Sequence, residues 1–172
     1  MYYRRKIALA LLQTWGGKLG KLDFQKLLFL LTLSQEKPSY DFVPYKFGCY
    51  SFQANADMQT MIGYNQVQAV TKPNALRADI WSKADEVDYR SQLSANDQIL
   101  LRKLHLQFGE FSTDQLLQYT YRNYPYFAIK STILDNVLNP IEQEKVNASR
   151  PNSDAKGLFS IGYEGKSLEQ YI

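Results

Sequence analysis

Residues 24–35 read FQKLLFLLTLSQ, and residues 39–52 read SYDFVPYKFGCYSF. Apolar side chains lie almost all round the first segment when it is drawn as a helix, which is typical of a helix buried inside a domain. Asp23 is placed to cap this helix, and Lys26 is expected to mark its exposed edge. The second segment is aromatic and is broken by a proline and a glycine, which favours a short β-hairpin.

The neighbouring segments complete one small domain around this pair. Residues 2–15 place apolar side chains on one helical face, and residues 53–67 return to helical spacing. Two short β-prone runs, VQAV and ADIW, then surround a turn at residues 72–74. Helix, helix, β-loop, helix and β-hairpin is the order expected of a winged helix or a close relative. We therefore expect a mainly α fold of the α+β class with a small β-hairpin or wing.

The next unit is predicted to be a pair of antiparallel helices. Ser94 can cap the first helix, and Ser112 with Gln115 has the S-x-x-Q capping-box pattern in front of the second. A further short helix is expected over about residues 126–138, so that the first module spans residues 1–138.

The C-terminal part of the sequence changes character. Residues 139–156 are polar, contain two prolines and lack periodicity, which predicts a linker. Residues 157–172 then read as a short apolar strand, a glycine-bearing loop and the start of a helix. This order predicts the beginning of a truncated α/β domain.

Composition excludes several classes of protein. The chain has 172 residues, of which 45% are hydrophobic, and a single cysteine, so it is neither a disordered tail nor a disulfide scaffold. The longest apolar run is far shorter than the roughly 20 residues that a membrane span needs. The N-terminus lacks the cleavage pattern of a signal peptide, and we expect a cytoplasmic protein without membrane contact.

Positive charge is concentrated at the N-terminus. Residues 1–30 hold six basic residues against one acidic residue, a net charge of +5, while the whole chain carries only +3. Such asymmetry favours a polyanionic partner, because basic side chains that neutralise phosphates supply most non-specific affinity for DNA. The expected phosphate contacts combine this cluster with the hairpin and the wing: Arg4, Arg5, Lys18, Lys21, Lys26, Lys46, Lys72 and Arg77.

The predicted helix at residues 53–67 is the best candidate for reading bases. It carries five side-chain amides that can pair with adenine in the major groove of double-stranded DNA: Gln53, Asn55, Gln59, Asn65 and Gln66. The alternative is that these amides are ordinary helix surface.

A second alternative, to DNA binding itself, is a protein-binding surface, because tyrosine is enriched at interfaces. Its expected residues lie in two aromatic stretches: Tyr45, Tyr50, Tyr121, Tyr124 and Tyr126.

The sequence indicates no active site, cofactor or metal site. Gly165-Lys166-Ser167 has Ser160 where a phosphate-binding loop requires glycine. The only histidine, His105, lies in a predicted amphipathic helix. One histidine and one cysteine cannot form a zinc site without acidic ligands, and the sequence shows no zinc-ligand spacing.

Two stretches together resemble the Panacea, or SocA-like, domain. KLLFLLTLSQ followed by VPYKFGCYSF is similar to that family's K-L-x-Y-L helix and aromatic-Y-G-P-Y-S loop, and FGEFSTDQLLQYTYRNYPYF is similar to its later F-G-x-x-S element. The resemblance covers residues 22–127, with Cys49, Tyr121 and Tyr126 replacing the usual Pro, His and Trp. It implies a helical, antitoxin-like interaction module.

The terminal IGYEGKSLE resembles the opening of the family known as domain of unknown function 488. That family has an α/β fold that normally continues well beyond this point, so the resemblance implies the N-terminal part of a larger protein or of a truncated relative. It also suggests a bacterial defence or mobile-element setting. The first hypothesis is a non-catalytic DNA-binding regulatory module. The alternatives are an antitoxin-like protein-binding module, which allows a second copy of the chain as partner, and the regulatory part of a nucleic-acid-processing enzyme.

Overall fold

A computed structural model describes residues 1–71 and 79–151 of the chain. These residues form a mainly helical α+β fold with two small antiparallel sheets. The helices and strands follow one another as α1 Tyr3–Thr14, β1 Lys18–Gly20, α2 Lys21–Ser34, β2 Val43–Tyr45, β3 Gly48–Tyr50, α3 Phe52–Gly63, β4 Val67–Val70, β5 Ile80–Lys83, α4 Ala95–Phe108, α5 Thr113–Asn123, α6 Leu134–Val137 and α7 Pro140–Ala148.

The larger sheet has the strand order β1–β5–β4, with all neighbours antiparallel. Three helices precede the β4–β5 pair, and the short β1 lies against β5 with Leu19 opposite Trp81. This is the topology of a winged helix, and the hairpin β2–β3 is inserted between its second and third helices. The predicted strand at VQAV is confirmed, whereas the second strand begins at Ile80, later than predicted. The turn at 72–74 lies outside the described residues.

Helix α2 is the centre of the fold, as predicted. Every residue from Phe24 to Thr32 is buried, and the helix packs against α1, α4, α5 and β3. The predicted cap is wrong, because α2 begins at Lys21 directly after β1 and its cap position is Gly20. Asp23 lies instead in the first helical turn, where its negative charge interacts favourably with the positive end of the helix dipole.

The αα-hairpin of α4 and α5 is confirmed together with its caps. The Ser94 hydroxyl accepts the Asp97 backbone N–H at 3.1 Å, and Ser112 with Gln115 forms a reciprocal capping box. The single helix predicted over 126–138 is wrong, since a 3₁₀ turn at Pro125–Ala128 and the short α6 replace it. Thr132 between them donates to the Lys46 carbonyl oxygen, which diverts the chain toward the hairpin.

The linker predicted for residues 139–156 is wrong for its first part, which forms α7. Asn139 and Glu142 make a capping box, and Pro140 occupies the first turn, where its missing N–H costs nothing. Val146 is fully buried in a second hydrophobic cluster with residues that include Leu117 and Leu138. The buried Val146 and the N-terminal capping box therefore stabilise a helix that has no apolar periodicity. Residues 152–172, including the predicted stub at 157–172, lie outside the described residues.

Within the described ranges, no helix has the length and apolar composition needed to cross a membrane.

Candidate nucleic-acid interface

Helix α2 determines where α3 begins. The side-chain amide of Gln25 pairs with the backbone of Ser51: it accepts the Ser51 N–H at 2.8 Å and donates to the Ser51 carbonyl oxygen at 3.3 Å. The Ser51 hydroxyl then accepts the Ala54 N–H at 3.1 Å and caps α3. Because Gln25 and Ser51 are both buried, the start of α3 is fixed to the core.

Lys26 corrects the expectation of an exposed basic edge. Its side chain is only 1% exposed, and its ammonium donates to the carbonyl oxygens of Phe47 in the hairpin turn and of Cys49 on β3. The nitrogen also lies 3.5 Å from the Cys49 sulfur, and burial lowers the pKa of Lys26. A helix that is apolar all round has no exposed edge, and the turn carbonyls need a donor. Lys26 therefore organises the hairpin and is too buried to contact a phosphate.

Arg4 and Arg5 also differ from the expected open basic surface. The Nε atoms of both arginines donate to the carboxylate of Asp57, at 2.6 Å and 2.7 Å, and the Asp57 side chain is only 4% exposed. The Tyr40 hydroxyl has two acceptors within reach, the Arg4 carbonyl oxygen at 2.9 Å and the same carboxylate at 3.3 Å. Burial alone would raise the pKa of Asp57, but the two guanidinium hydrogen bonds outweigh it and hold the pKa below its usual range. The two arginines thus join α1 to α3, and much of their charge is compensated internally.

The predicted tyrosines occupy three different environments. Tyr121 is buried beneath the hairpin with its hydroxyl 2.8 Å from that of Ser131, and Tyr124 packs edge-on against Phe29. These two belong to the packing of the fold, because large rings fill the space beside α2. Tyr126 is 44% exposed, so it remains a surface residue.

Tyr45 and Tyr50 are half-buried and form, with Phe52, the hairpin aromatic cluster. Their ring centroids lie 4.9–5.2 Å apart in all three pairs. Phe52 is the first residue of α3 and is 57% exposed. The cluster therefore forms an aromatic surface beside the N-terminal end of α3.

A cleft of about 450 Å³ is lined by five residues that the sequence assigned to two separate surfaces, one for DNA and one for a protein partner. Gly20, Asp23 and Thr113 are among its other lining residues. The predicted residues in its lining are Lys21, Lys26, Tyr45, Lys46 and Tyr50.

The outer face of α3 carries three of the five predicted amides. The prediction is wrong for Asn65 and Gln66, which lie beyond the end of α3 at Gly63, and the Gln66 amide donates to the Tyr89 hydroxyl at 3.2 Å. Gln53 and Gln59 are exposed and Asn55 is half-buried. Among the described residues, none of these three side chains takes part in a hydrogen bond, so their donors and acceptors remain open to a ligand. Exposed Ala56 lies between the glutamines, and its small side chain allows another molecule to approach the helix closely.

The other predicted cations lie mostly at the surface. Lys18 on β1 and Lys46 in the β2–β3 turn are exposed. Lys21 is half-buried, with its ammonium 4.1 Å from the centre of the Trp81 ring, and burial lowers its pKa. Lys72 and Arg77 lie outside the described residues. Lys46 lies in the turn of the hairpin that leads into α3, and its ammonium is 6.0 Å from the centre of the Tyr45 ring.

The part of the chain that the structure describes contains no group of three or more His, Cys, Asp or Glu side chains able to hold a metal ion. The chain matches no protein-family model and no curated protein at a significant level. The resemblances to the Panacea domain and to domain of unknown function 488 therefore stay predictions.

Proposed function

We propose that this chain is a non-catalytic module that binds double-stranded DNA through the outer face of α3. The observation that carries the proposal is the combination of winged-helix topology with exposed, unbonded amides on its third helix. A major groove about 12 Å wide admits an α-helix, and side-chain amides can bond base edges there. A regulatory or phage-defence role in the cytoplasm would use such a module.

The phosphate contacts in this proposal differ from those expected from charge alone. Arg4 and Arg5 are bonded to Asp57, and Lys26 is bonded to the hairpin turn. Exposed Lys18 and Lys46 are the described cations that best support phosphate binding. Fewer free cations imply modest non-specific affinity, so base contacts must contribute a larger share of binding.

A protein partner is the second candidate function, and the hairpin aromatic cluster favours it. Tyr45, Tyr50 and Phe52 have mutually contacting rings, and neighbouring Phe47 is 47% exposed. Aromatic residues in this arrangement are typical of interface anchors. Binding of a protein partner that does not change with salt concentration and is lost in the Tyr50→Ala variant would support this alternative.

We expect Lys46→Ala to weaken binding to a generic duplex at every salt concentration and to flatten its salt dependence. Each phosphate contact contributes about 0.9 to the slope of log affinity against log salt, so the slope should fall by about 1. The measurement is fluorescence anisotropy of a labelled duplex between roughly 50 and 200 mM salt.

Lys103→Ala is the matched control, because Lys103 is an exposed lysine on α4 and belongs to neither α3 nor the hairpin. Its slope should equal that of the unmodified chain. Absence of duplex binding at the lowest salt, or an equal change of slope for Lys103→Ala, would contradict the proposal.

A further inference from the structure

The exposed face of α3 has a restricted chemical composition. Its two glutamines, Gln53 and Gln59, flank exposed Ala56, while Phe52 lies at the N-terminal end of the helix. Thr60 completes the face, and its hydroxyl already donates to the Ala56 carbonyl oxygen at 3.0 Å, so its methyl group is the part left for external contacts. The face presents only amide groups and small or aromatic apolar groups.

The same helix lacks the groups that read G·C pairs. Arg and Lys are the side chains that bond the O6 and N7 atoms of guanine, and Asp or Glu accepts from the N4 amino group of cytosine. No Arg, Lys or Glu occurs between Phe52 and Gly63. The single acidic residue, Asp57, is buried and bonded to Arg4 and Arg5.

Each group that α3 does present has a partner on an A·T pair. Gln and Asn amides bond the N6 and N7 atoms of adenine, whereas Ala, Phe and the Thr methyl contact the C5-methyl group of thymine. Gln53 and Gln59 are six residues apart, which is about 9 Å along the helix axis. This distance corresponds to about two to three base pairs, so one recognition site can engage both glutamines.

We infer that α3 selects A·T pairs, with Gln53 and Gln59 bonding adenines about two to three base pairs apart. This inference rests on the proposed function and specifies its ligand as a duplex with an A·T-rich core. Lysines outside α3, such as Lys46, then position the module on the backbone without contributing to sequence choice.

The test is selection of a randomised duplex library by the whole chain, followed by anisotropy measurements on the enriched duplex and on versions with single A·T pairs changed to G·C. We expect A·T enrichment at two or more neighbouring positions and an affinity loss of roughly five- to 100-fold for each change at a glutamine contact. Gln53→Ala and Gln59→Ala should each abolish the preference at one position. Gln107→Ala, which removes an exposed amide from α4, should leave both preferences intact.

A gain of specificity gives a second readout that does not depend on loss of binding. Gln53→Arg should replace the preference for adenine at one position by a preference for guanine. Duplex binding without base preference, or with enrichment of G·C pairs, would overturn the inference and leave the proposed function standing. Failure to bind any duplex at low salt would overturn both.

Discussion

Asp57→Asn is expected to lower the free energy of unfolding by about 3–5 kcal/mol, because it removes the negative charge from a buried ion pair. Arg4 and Arg5 both donate to this carboxylate, and a neutral amide would offer one acceptor oxygen and turn its NH₂ group toward a guanidinium. Urea denaturation at neutral pH measures the loss. For a chain of this length, about 2–4 °C in midpoint temperature accompanies each kcal/mol.

The same variant should change how stability depends on pH. The folded-state pKa of Asp57 lies below its usual value, so its contribution is fully present above about pH 4 and is lost as the pH falls through the folded pKa. Asp57→Asn should therefore lose less stability than the unmodified chain between neutral and acidic pH.

Glu144→Gln is the matched control, since it neutralises an exposed carboxylate on α7 and should change stability by no more than about 0.5 kcal/mol. Equal stabilities of Asp57→Asn and Glu144→Gln at neutral pH would show that the buried pair does not hold α1 to α3.

Gly48→Ala is expected to destabilise the fold by about 2–5 kcal/mol, which combines backbone strain with overpacking. Gly48 has a φ of +85°, a conformation that L side chains rarely adopt. An added Cβ would lie 2.5 Å from Cε1 of Tyr121 and 3.0 Å from the Lys26 ammonium. Neither neighbour moves freely, because Tyr121 is buried and Lys26 is bonded to the turn carbonyls. Thermal unfolding measures this loss.

Gly63→Ala provides the comparison for that experiment. Gly63 ends α3, and nothing lies within 4 Å of its would-be Cβ. Alanine is the better helix former by up to about 1 kcal/mol, so this variant should be unchanged or slightly more stable. If Gly48→Ala were equally well tolerated, the hairpin turn would not be packed as described.

The parts of the fold that follow from local pattern could be predicted from the sequence. The apolar run from Phe24 to Thr32 identifies the buried central helix, and the caps at Ser94 and Ser112 mark where α4 and α5 begin. Ser51 is also a residue type that caps helices, so the sequence itself indicates that α3 begins at Phe52. Strand β1 has only three residues, too few for a strand pattern to be recognised in the sequence, and it is stabilised by pairing with β5.

The features that determine the site depend on contacts between residues far apart in the chain. Asp57 lies more than 50 residues from the arginines it bonds, so net charge could not show that Arg4 and Arg5 are engaged. The burial of Lys26 follows from its contact with the hairpin turn, which sequence spacing does not reveal. The amides of α3 were identified from residue type, but their exposure follows from which face packs on the core.

The two segments that carry the resemblance to the Panacea domain contact each other in the fold. On α2, Lys26 bonds the Cys49 carbonyl oxygen of the hairpin and Gln25 bonds the backbone of Ser51. These contacts hold Gly48 against Tyr121 and fix the start of α3. These residues therefore have a structural role: they orient the helix whose outer face we propose as the DNA-binding surface.

Titration of an unlabelled duplex into the ¹⁵N-labelled chain, followed by NMR, tests the proposed DNA-binding surface most directly. We expect the side-chain amide resonances of Gln53 and Gln59 to shift together with the backbone amides along the outer face of α3, while those of Gln107 on α4 stay in place. Shifts confined to the hairpin aromatic cluster or to α4, with the α3 amides unchanged, would contradict DNA binding by this helix.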